Sequence, residues 1–165
     1  MSFSNMDKFV FDAADEAATA TLGAALAGVL SAGATVALCG TLGAGKTQLV
    51  RAIAEACGID RRDVVSPTFV LIHEYHGRRT IYHMDAYRVA SEEEFAALGP
   101  DEYFESGELV LVEWADRVAS CLPANRIEVC IEVTGPQSRR FEITAIGPRF
   151  QDLPKGLAAA LGCER

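Results

Sequence analysis

The chemistry open to this chain of 165 residues is set first by one run, Gly40-Thr41-Leu42-Gly43-Ala44-Gly45-Lys46-Thr47, which satisfies G-x-x-x-x-G-K-[ST] in full. Glycines at those positions let the backbone curl until successive N–H groups point inward, forming a cradle for phosphate oxygens. The helix expected from Lys46 onward adds its positive end. The Lys46 ammonium is placed to reach the β- and γ-phosphates, and the Thr47 hydroxyl to ligate Mg²⁺. A nucleoside triphosphate with magnesium is the ligand this loop implies.

Such a loop hydrolyses nothing by itself; an acid near the metal and a group that orients water are also needed. Leu109-Val110-Leu111-Val112-Glu113 has the form of a Walker B strand, four apolar residues and then an acid. Glu113 is therefore assigned to the magnesium shell, directly or through water, against the plainer reading of a charge that ends a buried strand. Asp85, after the apolar strand that includes His83-Met84, is either the metal acid, the group that positions water beside the γ-phosphate, or a loop-initiating aspartate. Ser66 and Thr68 flank Pro67 in the segment where P-loop switches place a γ-phosphate sensor, although Ser-Pro-Thr taken alone is more often a turn. No N/T-K-x-D guanine-reading motif occurs, which disfavours a GTPase.

The elements that must carry these residues can be read from periodicity. Phe9–Phe11 reads as a short strand and Asp12 as the cap of a helix running to Ser31, with apolar positions Ala18, Leu22, Ala25, Leu26, Val29 and Leu30. Thr35–Cys39 reads as a central strand feeding the loop, and a helix follows from Lys46 to Cys57, stopped by Gly58. Phe69–Tyr75 and Thr80–His83 read as strands joined by a turn at His76-Gly77-Arg78. Ser91 with Glu94 forms a capping box for a short helix ending near Leu98-Gly99. The alternation of Ile127, Val129, Ile131 and Val133, a turn at Gly135-Pro136, and a return through Phe141 and Ile143 predict an antiparallel hairpin with one buried face. A short surface helix is expected from Gln151. The sum is an α/β chain with a parallel core and added antiparallel hairpin strands.

Composition narrows the setting. The length suits a single domain over residues 1–165, with residues 150–165 a peripheral tail. A formal charge of −8 argues against a broad electrostatic grip on nucleic acid, which needs clustered Lys and Arg. The five cysteines are odd in number, widely spread and without a C-x-x-C pair, so they read as reduced thiols of a cytoplasmic protein. Residues 1–8 lack the order of a signal peptide. The uncharged stretch between Glu16 and Lys46 is too rich in Ala, Gly and Thr for a membrane span, so no membrane partner is expected.

Four segments in this order and spacing, GTLGAGKT (40–47), SPTF (66–69), HMDAYR (83–88) and LVEWADR (111–117), closely resemble the TsaE (YjeE) family, small bacterial ATPases of threonylcarbamoyladenosine (t6A) tRNA modification. The likeness runs from Thr19 to about Arg117. It implies a P-loop NTPase-like three-layer fold with a mixed sheet. It also implies Mg²⁺-dependent ATP hydrolysis in support of a complex of TsaD and TsaB, which modifies adenosine 37 of tRNA, so that tRNA is met only through the partners. Carried over by position, Thr47 and Glu113 match the family's magnesium residues. Asp85 matches its acidic residue near the γ-phosphate, and Gly43 to Gln48 match its phosphate-binding segment. Asp15 and Thr19 fall where its first helix approaches the nucleotide. The residue reading and the resemblance together assign Lys46, Asp85 and Glu113 to catalysis, Thr47 and Glu113 to the metal, and Gly40, Leu42, Gly43, Ala44, Gly45, Lys46, Thr47, Gln48, Ser66, Thr68, Asp85, Asp15 and Thr19 to the nucleotide. Thr41 stands where the family usually has Asp, Gln48 where it has Thr, and Ala115 replaces the proline of its usual EWP.

Two other function classes fit a P-loop chain. A small-molecule kinase needs an acceptor site and usually a mobile arginine-rich lid; the tandem pairs Arg78-Arg79 and Arg139-Arg140 both fall in expected hairpins. A non-catalytic nucleotide switch would keep its partner function without hydrolysis.

Overall fold

In the computed structural model, which describes residues 8–67 and 71–163, the run Thr35–Gly40 forms strand β2 near the middle of a seven-stranded sheet. The strands are β1 (Lys8–Ala13), β2, β3 (Ile72–His76), β4 (Thr80–Asp85), β5 (Leu109–Glu113), β6 (Arg126–Val133) and β7 (Arg139–Ile146), in the spatial order β1-β7-β6-β2-β5-β4-β3. The central strands β6, β2, β5 and β4 run parallel, while β3, β7 and β1 are antiparallel additions at the two edges. Every residue of β5 is buried, as expected of a parallel strand covered on both faces. Burial of each such Leu or Val contributes roughly 1.5–3 kcal/mol.

Helices cover both faces, giving three layers. Helices α1 (Glu16–Val29), α2 (Lys46–Ala56) and α5 (Leu153–Ala160) lie over one face with Leu22, Leu26, Leu49, Ile53 and Leu157. Helices α3 (Glu92–Ala96) and α4 (Asp101–Phe104), with the 3₁₀ segment Ala115–Cys121, cover the other with Phe95, Val118, Tyr103 and Phe104. None of the described helices is long and apolar enough to cross a membrane.

Several boundaries differ from the sequence reading. Asp12 does not cap α1: it stays in β1 opposite Arg140, whose Nε donates to its carboxylate at 2.9 Å. Asp15 is the cap, accepting from the Ala18 N–H at 2.9 Å. β4 continues two residues past His83, so Asp85 ends the strand rather than following it. The C-terminal helix is not merely superficial, since Leu153, Pro154 and Leu157 are buried against the core. The strand start expected at Phe69, together with Thr68 and Val70, lies outside the described residues; the described β3 begins after Leu71, which sits at φ 68°. Helix α4 and the Ala115–Cys121 segment are too short to leave a periodic signature.

Candidate active site

β2 delivers its last residue, Gly40, straight into the loop, and Gly40 cannot be replaced there: a Cβ would lie 2.9 Å from the Ile131 carbonyl oxygen on β6. Gly45 caps α2 at φ 108°, a conformation that only glycine adopts without strain. Between them Leu42 is 76% exposed and Ala44 fully buried, so the loop is pinned at one point and open at its tip. The pin includes Arg139 at the start of β7, whose Nε donates to the Ala44 carbonyl at 2.9 Å. Gln48 folds back toward Gly45.

Lys46 is only 5% exposed, an uncommon position for an ammonium. It donates to the carbonyls of Gly40 at 2.6 Å and Thr41 at 3.0 Å, and lies 3.8 Å from the centre of the Trp114 ring. Its partners are dipoles and a π-face rather than a carboxylate. Burial pushes its pKa down, against the opposing pull of Glu113, Asp116 and Asp85. The chain thus holds a largely desolvated cation facing its own loop, which an incoming anion would favour.

The hydroxyl next to it is tied to the sheet. Thr47 Oγ1 donates to Glu113 Oε1 at 2.8 Å and Oε2 at 2.9 Å, bridging the start of α2 to the end of β5. Glu113 is 3% exposed and His83 fully buried; His83 Nε2 contacts Glu113 Oε2 at 2.5 Å. An ionised carboxylate only accepts, so the Nε2 contact needs a proton on that nitrogen, and Nδ1 on the far side of the ring lies 2.9 Å from the Tyr75 hydroxyl. The Tyr75 oxygen also lies 3.3 Å from the Val65 carbonyl, and burial pushes this phenol up to about 12. A continuous polar chain therefore runs from Val65 through Tyr75, His83 and Glu113 to Thr47.

Asp85 and Glu113 are register partners at the ends of neighbouring strands β4 and β5. Asp85 accepts from the Ser66 hydroxyl at 3.0 Å and from the Tyr87 N–H at 2.8 Å, and its own N–H donates to Leu71 at 3.0 Å. Trp114 follows Glu113 at φ 58°, a left-handed conformation that costs a bulky residue about 1–3 kcal/mol. That turn lays its ring under Lys46 and against Tyr87, 4.9 Å between centroids.

Of the residues singled out from sequence, Gly40–Thr47, Ser66, Asp85 and Glu113 form one connected cluster. The Asp15 carboxylate caps its own helix, and Thr19 is buried in α1 with its hydroxyl 3.5 Å from the Asp15 carbonyl. Three participants were missed. Tyr75 reads as a strand residue, and His83 as a strand residue within HMDAYR with no role assigned; the His83-x-Asp85 spacing, which puts both side chains on one face, is the available signal. Arg139 was read as part of a hairpin, and nothing local marks its contact with Ala44, 95 residues away.

The donor set is all oxygen, a hydroxyl and two register-paired carboxylates, which suits a hard divalent cation such as Mg²⁺. Beside it stands the buried ammonium suited to phosphate.

Residues 13–141 match the family described as "Threonylcarbamoyl adenosine biosynthesis protein TsaE". A "tRNA threonylcarbamoyladenosine biosynthesis protein TsaE" of Bacillus subtilis (strain 168) is 42% identical over 127 residues, covering 76% of this chain and 78% of that protein. The protein of that name from Nostoc sp. is 37% identical over 158 residues, covering 93% and 94%. The crystal structure of Bacillus subtilis YdiB superposes with a TM-score of 0.80 at 33% identity, covering 92% of this chain and 95% of that one. The chain belongs to the TsaE family of threonylcarbamoyladenosine biosynthesis proteins.

Proposed function

We propose that this chain binds ATP with Mg²⁺ and hydrolyses ATP in the cytoplasm, in support of a TsaB–TsaD complex that forms threonylcarbamoyladenosine at position 37 of tRNA. The observation that carries the reading is the convergence of Lys46, Thr47, Asp85 and Glu113 from α2, β4 and β5. Loop N–H groups from Gly43 to Thr47 and the Lys46 ammonium bind the phosphates. Thr47 and Glu113 hold Mg²⁺, which when bound offsets charge on the phosphate oxygens. Asp85, steadied by Ser66 and the Tyr87 N–H, orients the attacking water. The net charge of −8 suits a protein that meets tRNA through partners.

The tandem arginines give the kinase reading little support: Arg79 donates to the carbonyls of Leu30 at 2.6 Å and Ser31 at 2.9 Å, Arg78 donates to Ala56, Arg139 donates to Ala44 and Arg140 to the Asp12 carboxylate, so both pairs are engaged within the fold. The test is ATP turnover by wild type, Lys46→Ala and Glu113→Ala, each alone and with TsaB–TsaD. Turnover that rises with the partners and collapses in both variants is expected. Rates unchanged by the partners would remove the partner-dependent reading, and full partner function in a Glu113→Ala protein that cannot hydrolyse ATP would favour a switch.

A further inference from the structure

β2 and β6 are parallel neighbours, and their register sets Cys39 directly opposite Cys130. Hydrogen-bonded strands lie about 4.8 Å apart, inside the window of roughly 4.4–6.8 Å that Cα atoms of a disulfide occupy. Residues facing each other across such a pair project to the same side. Cys39 shares that side with Ala37 and packs against the core cluster of that face. The two thiols differ in access: Cys39 is half-buried and Cys130 exposed. The other cysteines have no such partner among the described residues. Cys57 is buried, the Cys121 thiol donates to the Glu92 carbonyl, and Cys163 stands in the C-terminal tail.

We propose that Cys39 and Cys130 form a hydroperoxide-reactive dithiol, in which exposed Cys130 is oxidised first and Cys39 resolves it to a disulfide. The Cys130 sulfur attacks one peroxide oxygen; an S–O bond forms, the O–O bond breaks, and the departing hydroxide takes up a proton as water. The Cys39 sulfur then attacks the Cys130 sulfenic acid. An S–S bond forms, the S–O bond breaks, and hydroxide leaves with the Cys39 proton as a second water. Two electrons from the thiol pair thus reduce one hydroperoxide. The electrostatics agree with this order of events. The neighbouring Cys39 thiol draws the Cys130 thiol down to about 7, against burial and the carboxylates of Glu128, Glu142 and Asp116, while the same proximity and burial push Cys39 up. The proposal stands independently of the nucleotide chemistry.

The test is treatment of the full chain with hydrogen peroxide, alkylation of the remaining thiols, and tryptic mass mapping without reductant. The expected product is a peptide spanning 9–46 joined to one spanning 127–139, two hydrogens lighter than their sum, in a protein that runs as a monomer and reverts with dithiothreitol. Cys39→Ser should lose the bridge and leave Cys130 as a sulfenic acid that dimedone captures. Cys130→Ser should lose both bridge and adduct. Equal dimedone labelling of Cys130 in wild type and Cys39→Ser would overturn the proposal. So would a Cys130 that stays reduced while Cys163 oxidises, or a bridge from Cys130 to any other cysteine.

Discussion

Replacing Lys46 by Met separates what this residue does for the fold from what it does for the ligand. The Met side chain keeps most of the apolar stem and removes the ammonium of a residue that is 5% exposed. Because burial lowers the Lys46 pKa despite three nearby carboxylates, the site as a whole disfavours the charged form relative to water. Deleting the charge therefore relieves desolvation while losing two carbonyl bonds and the Trp114 ring contact. The carbonyls left behind belong to Gly40, which is half-buried, and Thr41, which is exposed. The net change in unfolding free energy should fall within about 1 kcal/mol of zero, the usual range for a volume-conserving swap. Binding should respond differently. A unit charge pair 4 Å apart at an effective dielectric of about 20 is worth about 4 kcal/mol. Allowing for the contacts Lys46 gives up on turning to a phosphate, about 3 kcal/mol remain, on the order of a 100-fold loss of Mg·ATP affinity. Urea unfolding in the absence of nucleotide and calorimetric titration with Mg·ATP measure the two quantities. A variant destabilised by more than about 3 kcal/mol that still binds within threefold of wild type would refute the reasoning.

Gly23→Ala should destabilise the chain: the added Cβ would lie 2.3 Å from the Ala52 Cβ and 2.8 Å from the Ala52 backbone carbon, where α1 crosses α2. Overpacking of this kind costs roughly 1–3 kcal/mol, partly offset by about 1 kcal/mol of helix propensity, and thermal unfolding should show a Tm lower by several degrees. Alkaline titration tests the Tyr75 site. Its folded pKa of about 12 lies above the ordinary value of 10.0, so the stability that depends on a neutral phenol is complete below pH 10 and is lost as pH rises toward 12. Tyr75→Phe, followed by denaturant melts between those limits, should lack that slope; an identical slope in both proteins would place its origin elsewhere.

How much could be read in advance depended on whether the signal was local. The loop, the fully apolar β5 and the alternating β6–β7 hairpin are each specified by contiguous residues, and they stand where periodicity puts them. Asp12 misled because capping preference and strand pairing compete for the same aspartate, and Arg140 across the sheet decided it. The loop motif and the two acids at strand ends already point to Thr47, Asp85 and Glu113, and the family likeness adds to that reading, but neither marks the histidine behind Glu113. Its role arises from β4 lying in register beside β5, a pairing that single-chain periodicity does not encode. Cys39 and Cys130 read as spread-out thiols for the same reason: only the strand order makes them neighbours.

The Arg139–Ala44 bond carries a consequence for synthesis. The brace on the phosphate loop is translated 95 residues after the loop it steadies. At roughly 5–20 residues per second, several seconds pass between the emergence of the two ends of that contact. During that interval the nascent chain holds the complete Gly40–Thr47 motif without β6 or β7, and Gly40 lacks the Ile131 carbonyl that closes its far side. Nucleotide affinity should accordingly be acquired late and in one step, when the C-terminal hairpin docks beside β2. Ribosome-stalled chains ending before and after that hairpin would differ sharply in nucleotide retention.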